Sequence, residues 1–463
     1  MTMKTIKLLF ITLVLVSCSA SLKTINDTDN KYKLTTEKDL QIIEYSNKID
    51  AFYDTGKEGI FNGKENVKIY YKIFKQKYNE KAAIVISSGR TEAAIKYKEL
   101  IYDLYNNGYS IYIHDHRGQG LSGRMLKNHD MGYVKEFQFY IDDLKTFYDN
   151  YVKINKHNNI FLMAHSMGGA IGMSYLEQYP NDFKAAAFSS PMLGLPPPTC
   201  TAVKVLESKE PKYVMGGTNY QDDSVKFEDN TLTHSQIRYK RILKAFNETT
   251  DARLGSATYQ WVVKSCKQFK YIFDNADKIQ TPLLLFSAAD EKIVDPNSHK
   301  EFIKKLEKLK KDANGFIVPK AMHELYIERD KARINVLTKI LDFFESFKPN
   351  YRLHNIWAVI EYDGKELDRK QYNNALPRFE LNTTKSRVSG FDGCNTFNGQ
   401  IDVEKNTIKF TKMLLTKKAC VNKDVTKNMI KNISNKELEY KFQKNRLFLY
   451  LDGKVVMVLK NID

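Results

Sequence analysis

The chain has 463 residues, 42% of them hydrophobic, which is enough for a large core and suggests two domains or one large domain beside a small one. Its 72 lysines and arginines against 55 acidic residues give a formal charge of +17, yet the cations are scattered, as in Lys304-Lys305, Lys308 and Lys310-Lys311. No basic arm with interleaved aromatics stands out, which argues against nucleic acid as a partner, and an AT-rich genome would produce so lysine- and asparagine-rich a chain without selection for binding.

Met1 to Lys7 form a short basic start, and Leu8 to Val16 an apolar stretch interrupted only by Thr12. That stretch is too short to span a bilayer comfortably and has the dimensions of a signal-peptide core. It runs into Leu15-Val16-Ser17-Cys18, which resembles the lipobox of bacterial lipoproteins. Residues 1–17 are therefore expected to be removed and Cys18 to carry lipid, holding the chain at a membrane of the bacterial cell envelope. Ser19 carries no acidic retention signal of the kind some Gram-negative bacteria use, which tips the expectation toward the outer membrane. Residues 18–40 are expected to be anchor and solvated polar tether. With Cys18 lipidated, Cys200, Cys266, Cys394 and Cys420 remain, an even number for an oxidising compartment. No Cys-x-x-Cys spacing exists, so neither a zinc nor a redox site is expected.

From about Gly59 short apolar runs alternate with helix-length amphipathic segments. Val67 to Phe74 alternates as an antiparallel strand would, and Ala82 to Gly89 reads as a buried strand ending in a small-residue turn. A helix is expected from Ala94 to Asn106, a strand from Tyr109 to Asp115, a helix from Phe137 to Tyr151 and a strand from Asn159 to Ala164. This rhythm predicts βαβ units and a mostly parallel sheet with helices on both faces, its chemistry in loops beyond the carboxyl ends of the strands. Residues 193–270 break the rhythm with Pro196-Pro197-Pro198, polar loops and two helical stretches, and stand where a helical lid would. Strands resume at Pro282 to Ser287 and Gly315 to Val318, and a helix from Lys331 to Phe347 closes a domain expected over residues 41–350.

Ala164-His165-Ser166-Met167-Gly168-Gly169 follows a strand and opens a helix, the context of a nucleophile elbow that lifts a serine hydroxyl clear of the sheet. Ala164 departs from the glycine usual in the first place. A serine needs a base, and the base an orienting acid, in chain order acid then histidine. His323 lies beyond the strand ending at Val318. Asp290 sits directly beyond the strand Leu283 to Phe286 and is the expected acid, with Asp295 and then Glu291 as rivals. The oxyanion is expected to meet two backbone N–H groups, of Met167 and of Arg90. The Arg90 side chain either reaches a substrate phosphate or serves structurally.

Gly89-Arg90-Thr91-Glu92, His114 to Arg124, Met131-Gly132-Tyr133-Val134, Ala164 to Gly169 and Met322-His323-Glu324-Leu325 resemble bacterial lysophospholipases, which group with monoacylglycerol lipases among the α/β hydrolases. The resemblance covers roughly Phe52 to Phe347. It implies an α/β-hydrolase fold, Ser166, Asp290 and His323 as catalytic triad, a single-chain acyl ester as substrate and no cofactor. It also implies that Asp115-His116-Arg117-Gly118 is structural, so His114 and His116 are not expected to bind metal. A lysophospholipid is the first substrate expected, with a monoacylglycerol or short carboxylic ester next and a peptide third. A non-enzymatic envelope stress lipoprotein is the reading from a different class.

Beyond Asn350 the pattern turns to short strands and glycine turns. Val388 to Gly399, with Gly393-Cys394-Asn395-Thr396-Phe397, and Ala419-Cys420 resemble the META domain, expected as a small α+β module over residues 351–463. In that module Cys394 and Cys420 stand either as a disulfide or as two buried thiols.

Overall fold

A computed structural model describes residues 22–78, 80–203, 210–221, 226–347, 352–372, 375–383, 385–404, 406–418 and 428–462. The expected signal peptide and Cys18 lie outside these residues, as does Cys420. The chain divides into two compact units between Ile340 and Leu341. No helix among the described residues is long and apolar enough to cross a membrane.

The first unit opens with a two-residue strand β1 (Lys23–Thr24) and helices α1 (Glu37–Gln41) and α2 (Ile43–Asp54). Strands β2 (Lys57–Asn62), β3 (Lys68–Phe74) and β4 (Ala82–Ser87) follow, then α3 (Lys98–Asn106), β5 (Tyr109–His114), α4 (Gln138–Phe147), β6 (Ile160–His165), α5 (Met167–Gln178) and β7 (Ala185–Ser189). An insertion carries α6 (Thr199–Ala202), α7 (Gln236–Glu248) and α8 (Tyr259–Asp274). The unit ends with β8 (Leu283–Ala288), α9 (Pro296–Lys308), β9 (Ala313–Val318) and the greater part of α10 (Asp330–Glu345), a helix that runs on past the division. One sheet runs β1-β9-β8-β7-β6-β4-β5-β3-β2. Only β2 and β3 join it antiparallel, as expected for β3, although β3 is buried from Ile69 to Phe74 rather than on alternate residues. Strands β4 to β8 are buried along their whole length except for the first residue of β6, as both-face coverage by helices requires. This is the α/β-hydrolase fold.

The polar stretch after the expected anchor is not a solvated tether where it is described. Lys23 and Thr24 pair with Phe316 and Ile317 of β9, and Leu22, Ile25, Leu34 and Leu40 are buried. Thr35 gives both its N–H and its hydroxyl to Asp103 Oδ1, at 3.0 and 2.6 Å. Thr36 and Asp39 close a reciprocal capping box that starts α1. A few apolar residues spaced through a polar run were enough to seat it, because each finds a slot in the hydrolase surface.

The second unit is built almost wholly of β-structure: β10 (Asn355–Tyr362), β11 (Lys365–Glu366), β12 (Arg378–Asn382), β13 (Arg387–Phe391), β14 (Thr396–Val403), β15 (Thr407–Leu415), β16 (Glu437–Gln443), β17 (Arg446–Leu451) and β18 (Lys454–Asn461). Among the described residues every pairing between these strands is antiparallel, and β10 also pairs with β18, closing eight strands into a barrel-like sheet. The expected α+β character reduces, among the described residues, to the helix α11 (Met429–Ile433) and a short 3-10 turn. Inside, Phe379 meets Phe397 and Phe410 with ring centroids 4.9 and 5.6 Å apart. A Cβ on Gly390 would lie 2.1 Å from Arg378 O, which is why the strand needs glycine there.

Candidate active site

Ser166 sits between β6 and α5 with φ 51° and ψ −118°, a backbone state that L-residues adopt only where surrounding contacts enforce it. Those contacts are visible. Ser166 N–H donates to Ser189 O at 3.1 Å, and Met192 N–H donates to Ser166 O at 2.8 Å. A Cβ on Gly168 would fall 2.2 Å from Ser87 O and 2.4 Å from Ser88 O, so the helix can come this near to β4 only through a glycine. Ala164, the departure from the usual glycine, is fully buried, and its methyl lies 3.4 Å from where a Cβ on Gly172 would stand. That is ordinary contact; the glycine makes room for Phe188 Cε1 and Leu162 Cδ2, which a Cβ would approach to 3.0 and 3.1 Å.

Ser166 (7% exposed) and His323 both line one cavity of about 550 Å³. The acid beside His323 is Glu291, not Asp290. His323 Nδ1 lies 2.9 and 2.8 Å from the two Glu291 carboxylate oxygens, and the Glu291 side chain is fully buried. The N–H groups of Ile293 and Val294 donate to Glu291 Oε1 at 2.8 and 3.2 Å and fix the carboxylate. Burial alone would raise its pKa, but the hydrogen bond and charge of His323 and those two amides hold it below the ordinary range. Asp290 has a side chain 51% exposed, turned toward His234 Nε2 at 4.0 Å. Its N–H is tied to Ala321 O, which fixes the loop so that the next residue, with one more methylene, turns inward. The other rival, Asp295, caps α9 by accepting the N–H of Asn297.

The loop after β4 carries the expected second oxyanion donor. Gln119 Nε2 clamps it by donating to Gly89 O and Glu92 O at 2.7 and 2.8 Å. The Gly89 N–H is already spent on Glu92 Oε2, leaving the Arg90 N–H without a protein acceptor among the described residues. Met167 is the first residue of α5, so its N–H has no partner within the helix. The Arg90 guanidinium stands 5.1 Å over the Trp261 ring in the wall of the cavity.

Beneath His323 lies a buried polar cluster that the sequence did not announce. Lys96 Nζ donates to both Glu92 and Glu324, and His165 Nε2 meets Glu324 Oε2 at 3.1 Å. Tyr97 OH and the Gly89 N–H also donate to Glu92. His165 Nδ1 faces Ser189 O at 3.0 Å, and its ring centroid is 4.8 Å from that of His323. Desolvation would lower His165, but Glu324 and Glu92 outweigh it and raise it, while Glu324 is held well below its usual range despite burial. Glu92, His165 and Glu324 place ligating atoms within 4.8 Å of one another, the one such trio among the described residues. Lys96 bridges its two carboxylates and supplies the cation internally. His114 and His116 are buried at the sheet's end, where His116 Nε2 meets Ser87 Oγ at 3.2 Å. Asp115 accepts the N–H groups of Ala94 and Leu121 and organises that turn.

The insertion expected over residues 193–270 provides the cavity's apolar wall: Ile242, Leu243 and Phe246 from α7, Trp261 from α8, and Leu195. A disulfide between Cys200 and Cys266 ties α6 to α8. Their even number was visible in the sequence; which pairs form was not.

Residues 78–330 match the family described as serine aminopeptidase, S33, and residues 352–462 match the META domain. Lysophospholipase L2 of Escherichia coli (strain K12) is 33% identical over 304 residues, covering 63% of this chain and 88% of that protein. Monoglyceride lipase of Mus musculus is 30% identical over 149 residues, covering 32% of this chain and 47% of that protein. The solved structure of a soluble variant of monoglyceride lipase from Saccharomyces cerevisiae superposes with a TM-score of 0.51 at 19% identity, covering 63% of this chain and 94% of that one.

Proposed function

The chain belongs to the serine aminopeptidase S33 family of α/β hydrolases, a serine hydrolase acting on carboxylic esters of lipids and joined to a META domain, and from that premise we propose that it is a lysophospholipase. The observation that carries the reading is the strained Ser166 sharing an aliphatic-walled cavity with a His323 already paired to a buried carboxylate. Ser166 Oγ attacks the acyl carbonyl while His323 Nε2 takes its proton. Glu291 holds Nδ1–H and stabilises the imidazolium that forms. The N–H groups of Met167 and Arg90 receive the oxyanion. The proton passes to the departing glycerol oxygen, and a water then repeats the sequence on the acyl-enzyme to release the fatty acid. One acyl chain lies along Ile242, Leu243 and Phe246.

The lipid ester is favoured over a peptide by the charges around the serine. A free peptide amino terminus needs an unpaired carboxylate, and the two that line the cavity among the described residues, Glu92 and Glu324, are both held by Lys96. A monoacylglycerol is the second reading, supported by the similarity to monoglyceride lipases. The Leu15-Val16-Ser17-Cys18 motif supports a lipid anchor at Cys18 and a place in the cell envelope, and the Cys200–Cys266 disulfide suits that oxidising setting.

The test is fatty-acid release from lysophosphatidylcholine and from monoacylglycerol by the chain beginning at Ser19, beside Ser166→Ala. Release by the parent and none by the variant is expected. Labelling of Ser166 by a fluorophosphonate with neither lipid cut would leave the nucleophile and discard the substrate, and no labelling would discard the enzyme reading.

A further inference from the structure

Three arginines are buried in the hydrolase unit, and a fourth, Arg90, half-buried with its Nε out of solvent, stands apart. Arg117 is paired with Asp143, Arg238 with Glu99 and Asp330, and Arg333 with Asp103 and Glu99. Among the described residues Arg90 has no carboxylate partner. Its side chain makes a single hydrogen bond among the described residues, from Nη2 to Gly255 O at 2.9 Å, and its buried Nε has none. A guanidinium offers five N–H donors, and withdrawing it from water without a counter-charge is unfavourable. Stacking on Trp261 offsets part of that cost. Desolvation lowers the group to about 10, and among the described residues the phenols of Tyr140 and Tyr213 raise it. It remains a cation at neutral pH.

Its position gives this charge a use. Arg90 is in the wall of the cavity that holds Ser166, on the loop whose backbone N–H faces the oxyanion. Among the described residues the carboxylates lining the cavity, Glu92 and Glu324, do not compete for it, being committed to Lys96. Resting on the reading of Ser166 as the nucleophile of a lipid esterase, we propose that the Arg90 guanidinium is the anion subsite that receives the phosphate of a lysophospholipid headgroup. In such a substrate one glycerol separates the acyl carbonyl from the phosphate, so a cation carried by the oxyanion loop meets the phosphate while the acyl chain lies under the lid. A monoacylglycerol has the same ester and no anion, and leaves the guanidinium as it stands.

The experiment compares kcat/KM for lysophosphatidylglycerol and for the monoacylglycerol of the same chain length in the full chain, in Arg90→Gln and in Arg90→Lys. The ratio of the two substrates is expected to fall tenfold or more in the glutamine variant and to recover in part in the lysine variant. Equal losses on both substrates would overturn the proposal and leave Arg90 as a prop for the lid. A second readout does not depend on lipid turnover: glycerol 3-phosphate should slow fluorophosphonate labelling of Ser166 in the parent and not in Arg90→Gln. If that protection appears while neither lipid is cut, the subsite stands and the lipid-esterase reading fails. If inorganic phosphate protects as well as glycerol 3-phosphate, the site serves free phosphate and the headgroup assignment is overturned.

Discussion

Glu291 and Asp290 are adjacent acids of which only one touches the histidine, and the choice between them is a matter of one peptide and one methylene. The expectation from sequence fell on Asp290 because it comes first after β8. That reasoning treats the strand end as a point, whereas the chain continues to be held: Ala289 N–H to Val318 O and Asp290 N–H to Ala321 O carry the β8–β9 contact two residues further. Asp290 is then left facing His234 at the surface, and Glu291 is the first side chain free to turn in beneath His323. Two consequences separate the residues. Glu291→Gln keeps the shape but cannot hold the imidazole tautomer as a charged acceptor, so kcat should drop by on the order of a hundred- to ten-thousand-fold. Asp290→Asn should stay within about twofold of the parent, as surface changes away from a site usually do. Steady-state hydrolysis by the two variants decides it; a large loss in Asp290→Asn with an active Glu291→Gln would reverse the assignment.

At the level of elements, the strands and the elbow were readable because each is specified locally. The buried runs of β4 to β8 have no polar face to hide, and Gly168 announces a close approach before any partner is known. What could not be read was compensation across elements: the space Gly172 leaves for Phe188 and Leu162, the Trp261 ring under Arg90, and the Lys96 bridge between residues 232 positions apart in Glu92 and Glu324. The polar N-terminal run was misread for the same reason, since its four buried apolar residues make sense only against the surface that receives them. The lid shows how such a long-range link acts on stability. The Cys200–Cys266 bridge closes a loop of sequence separation 66 through the least regular part of the unit. In the chain-entropy account a closure of that length restricts the unfolded chain by about 4 kcal/mol. Cys200→Ala/Cys266→Ala should therefore unfold at lower denaturant than the parent in the absence of reductant, with the difference disappearing once both are reduced. Equal midpoints without reductant would mean the bridge contributes nothing.

Across the whole molecule the two units answer to different rules. The first closes a core centred on β4 to β8 and the helices over them, and the second a separate one around Trp357, Phe379 and Phe410. The change near residue 350 was legible as a change of period, from strand–helix alternation to short strands between glycine turns, although the barrel closure of β10 on β18 was not, because pairing of first and last strands leaves no local mark. Every residue assigned here to the chemistry, from Arg90 to His323, lies in the first unit. Units that each complete their own core generally fold on their own. A chain ending at Phe347 should accordingly remain folded and keep the parent's kcat/KM on a soluble short-chain ester within about twofold. Calorimetry of the full chain should then show two transitions, of which the truncated chain retains one at an unchanged temperature. A truncated chain that is folded but inactive would place part of the function in the META domain, and one that does not fold would make that domain a structural part of the hydrolase.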